Sequence, residues 1–149
     1  INAAMGVIVA APTAGGAGVL PAVLTGLAEA KRIPDEKVID ALATAGLIGA
    51  IVAERASLSG AEGGCQAETG AAAAMAAGAA TEMLGGTPTQ VGHAVALAQQ
   101  GTLGLVCDPL GGLVEQPFRR AVRQLAVVEL LDRCLLEIGV DAEAECFRG

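Results

Sequence analysis

Gln66-Ala-Glu-Thr-Gly-Ala-Ala-Ala-Ala-Met-Ala-Ala-Gly-Ala-Ala-Thr-Glu-Met-Leu84 decides the fold. Alanine is the strongest helix former, so residues 66–84 predict one helix. Side chains this small let neighbouring helices approach it on every side. Gly85-Gly86 ends the run. Downstream, Thr87-Pro88-Thr89-Gln90 has the form of a helix start. Thr supplies the cap, Pro the first position, and Gln stands three residues after the cap. Val91, Val95, Leu97 and Ala98 carry that helix to about Gln100.

The same reading extends upstream. Val19 to Lys31 predicts a helix with Leu20, Val23, Leu24 and Leu27 on one face. Pro34-Asp35-Glu36 opens another, with acids favoured by the helix dipole. It continues through Val38, Ile39, Leu42 and Leu47 to about Ala56 as a buried core helix. Residues 1–11 are expected to be a helix end entering a loop. From Arg119 to Ile138, apolar residues at Val127, Leu130, Leu131, Cys134, Leu135 and Ile138 keep helical spacing. Strand signals are negligible. The expected class is therefore all-α: a compact bundle of Ala- and Gly-rich buried helices joined by Gly-rich loops.

At 149 residues the chain predicts a single domain, 1–149, long enough to bury a core. Two Phe and no Trp or Tyr leave Leu, Ile, Val, Ala and Met to build that core. The net charge of −7 offers no basic patch, and the scarcity of aromatics offers no base-stacking platform. Both argue against nucleic acid as a partner. No run reaches the roughly 18 apolar residues of a membrane span, Ala41 to Ala53 coming nearest, and no secretory signal is visible. A cytoplasmic protein is expected. The chain opens at Ile1, inside an apolar segment and without an initiator Met, so a piece of a longer protein is expected.

Candidate chemistry lies in the punctuation between helices. Ser57-Leu-Ser-Gly-Ala-Glu-Gly-Gly-Cys65 puts a thiol at the end of a glycine-rich turn. Cys107 sits in another, Leu105-Val-Cys-Asp-Pro-Leu-Gly-Gly112. In a chain expected to be cytosolic, four cysteines point away from disulfides. Two cysteines on tight loops suggest a metal or cluster site. Two thiolates alone complete neither a four-ligand zinc site nor a cubane, and no C-x-x-C pair is present. Cys134 falls on an apolar face and reads as packing; Cys146, in an acidic tail, reads as exposed. The Pro12-Thr-Ala-Gly-Gly-Ala-Gly18 loop allows close approach to a ligand. Its N–H groups, at the start of a helix, suit an anion such as a carboxylate; a plain turn is the alternative. Glu54 and Arg55 are either solvated helix-end charges or part of the thiol site. His93, the one histidine, is structural, solvent-facing, a general base or a ligand. A zinc site built from the two cysteines, His93 and a carboxylate is a further alternative.

Three stretches carry a resemblance. They are Asn2-Ala-Ala-Met-Gly6 with Val9-Ala-Ala-Pro-Thr-Ala-Gly-Gly-Ala-Gly18, then Glu54 to Glu68, then Leu103-Gly-Leu-Val-Cys-Asp-Pro-Leu-Gly-Gly-Leu-Val-Glu115. Together, over about residues 1–115, they closely resemble the α-chain (C-terminal) domain of bacterial iron–sulfur-dependent L-serine dehydratases. The resemblance implies an all-helical domain holding a [4Fe-4S] cluster and converting L-serine to pyruvate and ammonia, a step of serine catabolism and gluconeogenesis. It implies that an open iron binds the serine hydroxyl as a Lewis acid. It identifies Cys65 and Cys107 with two cluster cysteines, and places the loop with Thr13, Ala14, Gly15 and Gly16 near the substrate. It also implies a β subunit or domain and a homo- or hetero-oligomer.

The chain departs from the family pattern in two places. The family continues C-D-P-x-x-G-L-V-x-x-P-C, whereas Phe118 follows Pro117 here, and Phe cannot ligate iron. Gly16 stands where a serine is common. The tail, 116–149, diverges. These departures leave open an incomplete or frame-disrupted product, a cluster-free paralogue, or Cys134 or Cys146 as a substitute ligand.

Overall fold

The computed structural model describes residues 6–103 and the backbone of residues 109–110 and 113–114. Five α-helices, α1 (Val19–Lys31), α2 (Asp35–Arg55), α3 (Gly60–Cys65), α4 (Ala71–Met83) and α5 (Pro88–Thr102), are followed by two short strands, β1 (Pro109–Leu110) and β2 (Leu113–Val114). A π-helical turn, Gln66–Gly70, joins α3 to α4. Most of the described chain is helical, as expected.

Helix α4 is the hub. It packs against α1, α2 and α5, and nine of its thirteen residues are buried. Its alanines make this possible, because short side chains let three backbones close on one helix. Gly78 marks the tightest approach. A Cβ there would collide with Ile48 of α2 and stand 3.2 Å from Val95 of α5. The core itself is Leu20, Leu24, Ala41, Ala45, Met75, Ala76, Ala79 and Met83. The one buried polar side chain among the described residues, Thr81, donates to the Ala77 carbonyl at 2.8 Å. That removes the penalty of an unpaired buried hydroxyl.

The flanking helices follow their local signals. Helix α1 ends on Arg32 in the left-handed region, φ 52°. The Ile33 N–H reaches back to the Ala28 carbonyl at 3.0 Å, and Ile33 packs against the core, the hydrophobic closure common at helix C-termini. Helix α2 carries Asp35 and Glu36 in its first turn and Arg55 in its last, matching the dipole at both ends. Helix α5 has the full capping box: Gln90 N–H donates to Thr87 Oγ1 and the Thr87 N–H to Gln90 Oε1.

Several expectations are corrected. Helix α2 is not a buried core helix among the described residues. It buries the single stripe Ala41, Ala45 and Gly49, and leaves Ile39, Leu42, Leu47 and Ile51 exposed. The core accordingly draws on Leu, Ala and Met, with Val23 outside it. Residues 6–10 have no regular structure, so no helix end enters the loop there. The run 66–84 is not one α-helix, because its first five residues form the π turn. A small hairpin was also unforeseen: Pro109 pairs with Val114 and Leu110 with Leu113, antiparallel. Gly111-Gly112 between them is a tight-hairpin signal. The expected helix 119–138, with Cys134, lies outside the described residues. No helix among the described residues is long and apolar enough to cross a membrane.

Candidate active site

The Ser57–Cys65 stretch is a short non-helical lead, Ser57–Ser59, into the short helix α3 rather than a turn. Ser57 braces the lead: its Oγ donates to Glu62 Oε2 at 2.6 Å and accepts from the Ser59 N–H at 3.1 Å. The Glu62 and Gly63 N–H groups bond the Ser59 carbonyl. Helical geometry breaks at Gly64, φ 66° and ψ −160°, a region that only glycine occupies readily. The chain therefore changes direction immediately before Cys65, which opens the π turn. Wider π turns are rare and occur often at functional sites.

The π turn is tied to the end of α5. Gln66 Nε2 donates to the Gln99 carbonyl at 3.1 Å, and Thr102 Oγ1 donates to the same carbonyl at 2.9 Å. Gln66 Oε1 is buried with no hydrogen-bond partner. Beyond α5 the chain returns: β1, which begins two residues after Cys107, packs against α3. The helix that ends on Cys65 thus meets the strand that follows Cys107.

Cys65 is half of a disulfide. This departs from the expectation of free thiols. The other cysteines, Cys107, Cys134 and Cys146, lie outside the described residues, as does Phe118. Among the described residues, no three His, Cys, Asp or Glu side chains gather to hold a metal ion.

The Pro12–Gly18 loop packs on the same corner. Gly16 is buried, and a Cβ there would stand 2.8 Å from Ala72 Cβ and 3.1 Å from the Glu68 carbonyl oxygen. That close approach accounts for glycine at this position. Thr13 Oγ1 accepts from the Gly16 N–H at 3.4 Å, and its carbonyl accepts from the Ala11 N–H at 3.2 Å. The Ala17 and Val19 N–H groups bond the Ala14 and Gly16 carbonyls. The N–H groups of Ala14 and Gly15 donate to no described residue.

Glu68, within the quoted motif but given no role by sequence reasoning, occupies the centre. A Cβ on Gly15 would stand 2.5 Å from its Cδ, and one on Gly60 2.6 Å from its Oε2. The loop, α3 and the π turn therefore converge on one carboxylate. Two glycines far apart in sequence, each lacking a Cβ against the same side chain, are a signal that only spatial contact reveals.

The remaining candidates lie elsewhere. His93 is exposed on α5, and Glu54 and Arg55 are exposed helix-end charges on α2. Arg55 borders a cleft of about 740 Å³ between α2 and α5, lined by Leu47, Ile48, Ile51, Val91 and Val95 among others. None of Thr13, Ala14, Gly15, Gly16, Cys65 or Glu68 lines that cleft.

The comparisons with known proteins agree with the motifs. A family model described as serine dehydratase alpha chain matches residues 1–121. The probable L-serine dehydratase, alpha chain, of Bacillus subtilis (strain 168) is 55% identical over 117 residues, covering 78% of this chain and 39% of the relative. The L-serine dehydratase, alpha chain, of Peptoniphilus asaccharolyticus is 49% identical over 123 residues, 81% of this chain and 42% of the relative. The L-serine dehydratase TdcG of Escherichia coli (strain K12) is 48% identical over 130 residues, 85% of this chain and 29% of the relative. The chain thus spans well under half the length of these relatives. No solved structure matches it. With the family model covering most of its length and its glycine-rich motifs meeting at one corner, the chain belongs to the serine dehydratase alpha chain family.

Proposed function

We propose that this domain takes part in the conversion of L-serine to pyruvate and ammonia, with Cys65 and Cys107 as two ligands of a [4Fe-4S] cluster. The observation that carries the reading is the packing of β1, just after Cys107, against α3, which ends on Cys65. Two segments bearing soft donors approach each other, and Cys65 already meets another cysteine sulfur. The donor set fits an iron–sulfur group at two corners. The third corner of the family pattern is Phe118, which has no donor atom.

When bound, such a cluster supplies a Lewis acid that makes the serine hydroxyl a better leaving group. The chain's own residues do the positioning. The N–H groups of Ala14 and Gly15, in the loop running from Thr13 to Gly16, donate to no described residue, which supports this loop as the receiver of the substrate carboxylate. Loss of the α-proton and the β-hydroxyl yields aminoacrylate, which tautomerises and hydrolyses to pyruvate and ammonia. The names of the B. subtilis and P. asaccharolyticus relatives, both alpha chains, support a β subunit or domain as partner. The exposed apolar face of α2, with Ile39, Leu42, Leu47 and Ile51, supports an oligomer. A cytoplasmic setting would keep Cys65 reduced.

Phe118 favours a second reading, a non-catalytic helical module that keeps the fold and has lost the cluster. Anaerobic reconstitution with iron, sulfide and reductant separates the two. The leading reading expects a brown chromophore that forms only when reductant is present, and pyruvate from L-serine once the partner is added. Colourless protein under those conditions sinks it and leaves the second. Colour restored by Phe118→Cys would show that one missing ligand was the cause.

A further inference from the structure

Glu68 is half-buried where three glycine-rich stretches meet. Its carboxylate lies against both Gly15 and Gly60. Any side chain at either glycine would occupy the carboxylate's space. Yet the carboxylate makes no hydrogen bond or ion pair with any described residue. A partly desolvated anion is stabilised when a cation completes it. Its neighbour Gly15 belongs to the pair, with Ala14, whose N–H groups donate to no described residue. The loop residue that packs against the acceptor for a cation, Gly15, thus also carries a donor for an anion, with the Ala14 N–H next to it in sequence.

That pairing is the complement of an α-amino acid zwitterion, which carries ammonium and carboxylate on the same carbon. We infer that Glu68 binds the α-ammonium group of the substrate, next to the Ala14–Gly15 donors for its carboxylate. The inference rests on the proposed serine reading and adds the residue that distinguishes an amino acid from a hydroxy acid of the same shape. Glu68 follows Cys65 by three residues on the π turn. The carboxylate that fixes the substrate therefore lies within one turn of the Cys65 sulfur in the chain.

The test uses the reconstituted chain assembled with its β partner, and two probes, L-serine and 3-hydroxypropanoate. The second is L-serine with hydrogen in place of the ammonium group. Binding is followed by titration calorimetry, and turnover by pyruvate. In Glu68→Gln, L-serine affinity should fall about ten- to a hundredfold, the range of a charged hydrogen bond. Affinity for 3-hydroxypropanoate should change less than about threefold. Gly60→Ala, which displaces the carboxylate without changing it, should give the same selective loss, and it keeps the test alive if the Gln variant misfolds. Equal losses for both probes would overturn the inference. So would a preference for L-serine untouched by both variants, or a slower turnover with unchanged L-serine affinity, which would indicate a proton-transfer role. A wild-type assembly that shows the ammonium preference but makes no pyruvate would instead overturn serine dehydration and leave Glu68's role standing.

Discussion

At the residue scale, the site depends on absent side chains. Gly15, Gly16 and Gly60 let loop, α3 and π turn close on Glu68. Gly64 does something different: its backbone at φ 66°, ψ −160° turns the chain so that Cys65 opens the π turn instead of continuing α3. A Cβ in that region is strained by roughly 1–3 kcal/mol. Gly64→Ala is therefore expected to lower stability by about that amount, read as a lower denaturation midpoint in urea. It should also make the Cys65 sulfur react faster with a thiol reagent after reduction, because relaxation of residue 64 moves its neighbour first. Unchanged stability would mean that the positive φ is not required. The motif around Cys65 was legible in sequence. The role of Glu68 was not, because the glycines that frame it are 45 residues apart in the chain, at positions 15 and 60.

At the element scale, helices with strong end signals formed where the sequence placed them. The Val19–Lys31 span is identical to that expected. Helix α5 starts at its Thr-Pro-x-Gln signal, with both capping hydrogen bonds made. Thr87→Ala removes the Oγ1 that accepts from the Gln90 N–H, keeps the backbone N–H that donates to Gln90 Oε1, and should destabilise by about 1 kcal/mol. The loss should appear as faster amide exchange in the first turn of α5. Exchange that is unchanged there would show that the cap contributes nothing. The boundary that sequence reasoning missed is the start of α4. Alanine propensity favours α-helix without distinguishing it from a π turn. The π turn at 66–70 is accompanied by a contact across the fold, the Gln66 hydrogen bond to Gln99. Likewise, the short hairpin follows a Gly-Gly signal that carries little weight without strong strand formers around it.

At the scale of the whole molecule, one alanine-rich helix is enclosed by three others, and small residues set the spacing. Two glycines on neighbouring helices make the point testable. Gly78 on α4 faces Ile48 and Val95, whereas Gly92 on α5 is exposed, and a Cβ there would meet nothing within 4 Å. Gly78→Ala should destabilise by about 1–3 kcal/mol through overpacking. Gly92→Ala should stabilise by roughly 0.5–1 kcal/mol by restricting the unfolded chain. Thermal unfolding of the two variants should shift in opposite directions. Shifts of the same sign would contradict the packing described for α4. The exposed Ile39, Leu42, Leu47 and Ile51 on α2 belong to this scale too. Their apolar periodicity suggested a buried helix, but burial requires a neighbour, and α4 covers only the Ala41, Ala45 and Gly49 stripe.

The sequence by itself determined the helical class, the ends of helices with local caps, and the motifs of the family. These are short-range properties: propensity, dipole, capping and turn chemistry act within a few residues. Tertiary structure alone decided which apolar faces are buried, that residues 66–70 form a π turn, and that Gly15 and Gly60 share Glu68. Each of those depends on segments distant in sequence meeting in space, and a glycine shows what it makes room for only when the neighbour is in place.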